Sequence, residues 1–288
     1  MLSVIGAPAR ALSFRLLPHA PRGLGGIGAP PLVIGHRGMA ARAPENSLGG
    51  FAACAALGLP FELDVALSED GVPVVIHDDT LDRTTTGSGA VGRTPAAALG
   101  QLGNAKGWGP AWSGERLPTL GQVLVQTAGA VWIDVELKSP PGRGDRRPLV
   151  EAVLGALDAA GCADRVFVSS FDPYVLGALA DRRPQIPRGL LVGTFKGAGL
   201  ALHERLALRH LALVGVAKPD LLIAEDGMLD AALVRRWRTA GYGVLVWTVN
   251  APARARALCS WGVQGVITDD PGLMAAALGG GSVDESAD

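Results

Sequence analysis

FELDVAL, residues 61–67, is an apolar run broken at alternate positions by Glu62 and Asp64. Side chains on a β-strand alternate between faces, so the two carboxylates project from one side while Phe61, Leu63 and Val65 take the other. VWIDVELKS, residues 131–139, repeats the device: Asp134, Glu136 and Lys138 share a face and Val131, Ile133, Val135 and Leu137 the opposite one. Two anions on an inward strand face cost on the order of several kcal/mol unless a cation or protons compensate. Two oxygen ligands on one face suit a hard divalent ion. The competing reading is a set of strand-end carboxylates held by backbone amides or arginines. Asp134, deeper in its strand, reads as structural and paired with a barrel lysine or arginine.

Outward from these two stretches, short β-branched runs alternate with Ala/Leu-rich amphipathic ones, the mark of βα units and a parallel sheet. Strands are expected at 32–35, 61–67 with 74–77 beside it, 131–137, 166–170, 189–193, 221–224, 243–249 and 265–268. Helices are expected at about 47–58, 148–160, 174–182, 200–212, 228–240 and 252–261, several closed by a glycine such as Gly58, Gly161, Gly241 or Gly262. These elements suffice for an α/β fold of the closed (β/α)8 TIM-barrel type. An open doubly wound sheet would want a glycine-rich dinucleotide fingerprint, which the chain lacks. Residues 80–120, rich in Gly, Thr and Pro with Trp108 and Trp112, break the rhythm and read as an insertion after the second strand, over the barrel mouth. The division expected is a flexible extension at 1–31, a barrel domain at 32–278 and a disordered tail at 279–288.

Composition limits the function classes. Hydrophobic residues make up 48% of the 288 and charged residues 18%, which is enough apolar material for a large core. With 26 Lys+Arg against 27 Asp+Glu there is no basic field to hold a nucleic-acid backbone, so no nucleic-acid partner is expected. No run of about 18 apolar residues occurs, and no stable membrane insertion is expected. Cys54, Cys162 and Cys259 are widely spaced and odd in number, and read as small core residues in a reducing, cytoplasmic setting. Met1 to Pro31 holds Arg10, Arg15 and Arg22 and no acidic residue, superficially like a targeting segment, yet Arg10 and Arg15 interrupt the apolar stretch a secretory signal needs.

Polar residues follow the apolar strands near their C-terminal ends, where a barrel places its reactive groups. His36-Arg37-Gly38 comes directly after LVIG, and Arg37 offers a planar fork for phosphate or carboxylate. His77 follows VVI at a second strand end and precedes Asp78-Asp79. Two rim histidines can serve as general acid and general base. If the polar face of 131–139 lines the mouth, Glu136 completes a three-carboxylate site and Lys138 can reach a phosphate oxygen. His19, in the extension, and His203 and His210, on a helical pattern, carry no such signal.

The motifs HRG at 36–38, PENS at 44–47, ELD at 62–64, HDDTLDRTT at 77–85, PTL at 118–120, ELK at 136–138, SSF at 169–171, WTVN at 247–250 and ITDDP at 267–271 stand in the order of a known family. From about Leu32 to Leu278 the chain resembles the glycerophosphodiester phosphodiesterase family. The resemblance implies one divalent metal ion, Mg²⁺ or Ca²⁺ with Mn²⁺ as a further candidate, on Glu62, Asp64 and Glu136, and His36 with His77 as the acid/base pair. It further implies phosphate contacts from Arg37 and Lys138, Glu45 orienting a base or a substrate hydroxyl, and Trp247 packing near the alcohol. One departure is visible: after PTL the family usually shows an acidic residue, and here Gly121-Gln122 stand instead, which bears on a helix start more than on chemistry.

The activity so implied is metal-dependent hydrolysis of a small-molecule glycerophosphodiester to sn-glycerol 3-phosphate and an alcohol. Either water or the neighbouring glycerol hydroxyl can be the nucleophile, the latter through a cyclic phosphate. A lysophospholipase D-type reaction on the same site and a catalytically silent phosphodiester-binding barrel are the alternatives. The sequence does not fix the oligomeric state.

Overall fold

In the computed structural model the described residues are 20–24, 26–127, 129–139, 144–194 and 211–279. The apolar runs form strands β1 (Leu32–Gly35), β2 (Phe61–Leu67), β3 (Pro73–Val75), β4 (Ile133–Leu137), β5 (Val166–Ser170), β6 (Arg188–Val192), β7 (Leu221–Glu225), β8 (Gly243–Trp247) and β9 (Gly265–Thr268). Between them come helices α1 (Leu48–Ala56), α2 (Ala96–Leu99), α3 (Leu120–Thr127), α4 (Arg147–Ala160), α5 (Pro173–Arg182), α6 (Val214–Ala217), α7 (Ala231–Thr239), α8 (Pro252–Ser260) and α9 (Pro271–Gly279). All strands but β3 are parallel, in the order β1-β9-β8-β7-β6-β5-β4-β2, and the pairing of Gly35 with Phe61 closes the ring. The fold is the expected (β/α)8 barrel.

Strand parity divides the apolar side chains into two shells. Leu32, Ile34, Phe167, Leu191, Leu221, Ile223, Leu245 and Ile267 form one buried cluster, which fills the barrel. Phe61, Leu63, Val65, Ile133, Val135, Val166 and Val168 point the other way and pack with the buried sides of α1, α3, α4 and α5. Helix starts are capped by side chains: Ser47 Oγ accepts from Gly50 N at 3.1 Å, and Asp172 and Asp230 accept from Tyr174 N and Leu233 N at 2.9 and 2.7 Å. Gly161 closes α4 in the left-handed region at φ +65°.

Several expectations are modified. The strand expected at 74–77 is the three-residue β3, antiparallel to β2 through Val65 and Val75. Helices α2, α6 and α9 were not anticipated, and α3, whose start after PTL was noted, had been given no bounds. The excursion at 80–120 builds a small core of its own, in which Leu81, Val91, Leu99 and Leu117 pack on Val74 and Ile76. Part of the segment expected to be a loose extension is built into the barrel. Leu24 and Ile27 are 7% and 2% exposed and join the interior cluster, while Arg22 donates to both oxygens of the fully buried Asp220 at 3.0 and 2.9 Å. Open barrel ends expose apolar side chains, and these residues cover one such end. The helix expected at 200–212 falls almost wholly outside the described residues, as do residues 1–19, the tail beyond 279, His19, His203 and His210. No helix of the described residues is long and apolar enough to cross a membrane.

Candidate active site

The register of β2 and β4 brings the polar positions together. Glu62 lies beside Asp134 and Asp64 beside Glu136, so alternation along each strand becomes a cluster across two. Ligand-capable oxygens of Glu62, Asp64 and Glu136 lie within 4.8 Å of one another, and all three residues are buried. Lys138 Nζ lies between Asp64 Oδ1 at 2.7 Å and Glu136 Oε1 at 2.5 Å. The Glu62 Oε1 atom is buried without a hydrogen-bond partner. Burial, with the charges of Asp64, Glu136 and Asp134 adding, pushes the Glu62 carboxyl well above the usual range. Burial also raises Glu136, against the pull of Lys138. Burial would raise Asp64 too, but Lys138 and Arg37 outweigh it and hold that carboxyl below the ordinary value. Three oxygen donors in a dry site with an orphaned oxygen and excess negative charge are suited to holding a hard cation.

The β1 strand delivers the first histidine through a tight turn. A Cβ at Gly35 would stand 2.2 Å from Gly38 O, and Arg37 and Gly38 take φ +50° and +88°, so the chain doubles back at once after His36. Arg37 N donates to Glu62 Oε2 at 2.8 Å, tying this turn to the carboxylate cluster. The Arg37 guanidinium reaches Glu45 Oε1 at 2.7 Å and stands 3.4 Å from Asp64 Oδ2. Asn46, in the left-handed region at φ +54°, donates through Nδ2 to Asp64 Oδ2 at 2.8 Å.

Each histidine is held through Nδ1 by a carboxylate. His36 Nδ1 lies 2.7 Å from Asp269 Oδ1, whose Oδ2 accepts from Asn250 Nδ2 at 2.6 Å. His77 Nδ1 lies 2.7 Å from Asp78 Oδ1, and Asp78 accepts from Arg83 Nε at 2.6 Å. A carboxylate at Nδ1 fixes the tautomer with the proton there and leaves Nε2 for proton transfer. Burial, and then the charge of Lys138, lower His77, with Asp64 opposing. Asp78 is lowered to about 2, chiefly by the Arg83 hydrogen bonds. The hydrogen bond from His36 is the main cause lowering Asp269. A pocket of about 430 Å³ opens here, lined by His36, Arg37, Glu45, Asn250 and Asp269 among others.

The strand ends thus bring together His36, Arg37, Glu45, Glu62, Asp64, Glu136 and Lys138, with His77 joined to Glu45 through Asp78 and Arg83. Trp247 stands apart at the end of β8, where its indole donates to Ile223 O at 3.2 Å and meets Phe171 edge to face at 5.6 Å. Among the described residues no lysine or arginine stands against Asp134, and neither of its oxygens has a well-formed hydrogen bond, the Ser169 hydroxyl being near. Asp78, Asp269, Arg83 and Asn46 are the residues to which sequence reasoning assigned no role. Asp78 was visible only as the neighbour of His77, and Asp269 and Arg83 only as members of longer motifs.

With the geometry in hand, comparison with known proteins is informative. Residues 36–273 match the sequence profile of the glycerophosphoryl diester phosphodiesterase family. A glycerophosphodiester phosphodiesterase of Caldanaerobacter subterraneus subsp. tengcongensis is 33% identical over 246 residues, spanning 83% of this chain and 94% of its own. One from Bacillus subtilis is 29% identical over 284 residues, spanning 91% and 92%. The structure of an Oleispira antarctica phosphodiesterase in complex with the product sn-glycerol-3-phosphate is similar with a TM-score of 0.75 at 32% identity, over 87% of this chain and 97% of that one.

Proposed function

Because the chain belongs to the glycerophosphoryl diester phosphodiesterase family, we propose that it hydrolyses a glycerophosphodiester to sn-glycerol 3-phosphate and an alcohol, with His36 and His77 as the acid/base pair. The observation that carries this reading is the pair of Nδ1-anchored histidines beside a buried three-carboxylate cluster. Glu62, Asp64 and Glu136 would hold one divalent cation, which when bound supplies positive charge to the nonbridging oxygens.

A phosphodiester is anionic and repels nucleophiles, so the chain's own cations matter as much. Arg37, braced by Glu45 and by its backbone bond to Glu62, presents its fork to the phosphate. Lys138, anchored between Asp64 and Glu136, keeps the cluster from expelling an anion. One histidine takes a proton from the nucleophile through Nε2 and becomes an imidazolium, while the other, starting as an imidazolium, gives its Nε2 proton to the leaving oxygen; the carboxylate at each Nδ1 stabilises the charged form. Trp247 and Phe171 offer an apolar surface for the alcohol, and the excursion at 80–120 reaches the site through Arg83, which is bonded to the pocket-lining Glu45. Oxygen-only ligation suits Mg²⁺, Ca²⁺ or Mn²⁺.

The test is glycerol 3-phosphate release from a panel of glycerophosphodiesters after chelation and after return of each metal. Chelation should abolish turnover and one of the three metals restore it. His36→Ala and His77→Ala should each lower kcat/KM by roughly 100- to 10,000-fold, the usual contribution of a general acid or base. Full activity in excess chelator, or in either variant, would overturn the proposal. A transient cyclic phosphate in the product stream would identify the glycerol hydroxyl as nucleophile.

A further inference from the structure

Arg83 belongs to the excursion rather than to a strand end, yet its guanidinium is bonded along two edges to two carboxylates of the site. Nε and Nη2 donate to Asp78 Oδ2 and Oδ1 at 2.6 and 3.0 Å, and Nη1 and Nη2 donate to Glu45 Oε2 and Oε1 at 2.7 and 2.8 Å. Each carboxylate has a second partner. Asp78 Oδ1 holds His77 Nδ1 at 2.7 Å, and Glu45 Oε1 holds Arg37 Nη1 at 2.7 Å. His77, Asp78, Arg83, Glu45 and Arg37 are therefore one continuous chain of charge-assisted bonds. Among the described residues the other histidine shows no such connection: Asp269, which holds His36, is steadied by the neutral amide of Asn250.

We propose that Arg83 is a positioning residue that locks His77 and Arg37 into a single frame, so that the excursion supplies part of the catalytic geometry. The argument is geometric. Asp78 is exposed enough to rotate, with 28% of its side chain accessible, and a carboxylate free to rotate would release the imidazole orientation. A planar guanidinium gripping both oxygens removes that freedom, because the paired donors fix the carboxylate plane. The same plate grips both oxygens of Glu45, so a shift of Arg37 toward the phosphate is transmitted to His77 through rigid pairs rather than through water. Lysine at position 83 can replace the charge but not the two-edged grip.

The inference rests on the proposed phosphodiesterase reaction, and its test separates the two. The wild-type enzyme with its restoring metal establishes turnover first. Arg83→Gln should then lower kcat roughly 10- to 100-fold, the range for removing a residue that orients a reactive side chain, with KM changed less than threefold. Arg83→Lys should recover only a minor part. A double-mutant cycle of Arg83→Gln with Asp78→Asn should be strongly non-additive, because both substitutions cut the same chain. Independently of turnover, the His77 Nδ1 proton should give a downfield NMR resonance in the wild type that broadens or vanishes in Arg83→Gln, while the His36 resonance stays. Wild-type rates in Arg83→Gln, additive effects in the cycle, or an unchanged His77 resonance would overturn the role of Arg83. A wild type inactive on every diester would instead overturn the proposed reaction, with the resonance test still readable. Thermal melting of each variant separates loss of fold from loss of alignment.

Discussion

Asp134 carries a carboxyl group into the barrel interior at 1% exposure, with no well-formed hydrogen bond to either oxygen. Burial first, with the charges of Glu136 and Asp64 adding, pushes it well above the usual carboxylate range against the pull of the nearby Ser169 hydroxyl. The unfolded group titrates near about 3.9, so the folded protein loses stability as pH climbs from there through the raised folded value. Asparagine has no proton to lose. In chelator, Asp134→Asn should melt with the wild type near pH 4 and above it at pH 8, by roughly 2–4 °C for each kcal/mol recovered; an identical difference at both pH values would refute this. The sequence already placed Glu62, Asp64 and Glu136 on shared strand faces, because parity depends only on spacing. It could not supply a partner for Asp134, since Lys138 is committed to Asp64 and Glu136 and Arg37 to Glu45. The carboxylates behind the histidines come from positions 1 and 233 residues away, and only folding sorts those from other aspartates.

Among the elements, caps explain what was legible and what was not. Gly161 ends α4 in the left-handed region with open space where a Cβ would go, so Gly161→Ala should cost about 1 kcal/mol from backbone strain alone. Urea unfolding would measure it, and a loss above about 3 kcal/mol would mean that packing is involved. The start of helix α3 was noted after PTL but the helix was given no bounds, because it lacks the acidic residue usual there. Gln122 does that work: its Oε1 accepts from Thr119 N at 2.8 Å while Thr119 Oγ1 accepts from Gln122 N at 3.2 Å, a capping box with the amide in place of a carboxylate. The run at 74–77 was read one residue late and one too long: the ladder with β2 covers Pro73 to Val75, where Val75 N also donates to Pro118 O at 2.8 Å, and past it Ile76 keeps a single bond to Asp64 O at 3.0 Å. Apolar content alone does not show where pairing stops.

At the scale of the whole molecule, the barrel closes in register at β1 and β2 and is stoppered by residues that look, in sequence, like linker. Two apolar side chains among glycines and prolines at 20–31 give no periodicity to read, and their partners, such as Leu221 and Leu245, lie some 200 residues on. Ile27→Ala should cost about 2–4 kcal/mol, in the range for emptying a buried aliphatic site, while leaving kcat/KM untouched at temperatures where the variant is folded. A tolerated substitution would show that the plug is dispensable. The plug also settles where the chain can be held. Leu24 and Ile27 pack at the starts of the strands, beside Leu221 and Gly243, whereas the histidines follow the strand ends, so the plug seals the end of the barrel away from the histidines. A support attached through a cysteine at the exposed position Ala20, beside the plug, would therefore hold the enzyme with its catalytic opening turned outward.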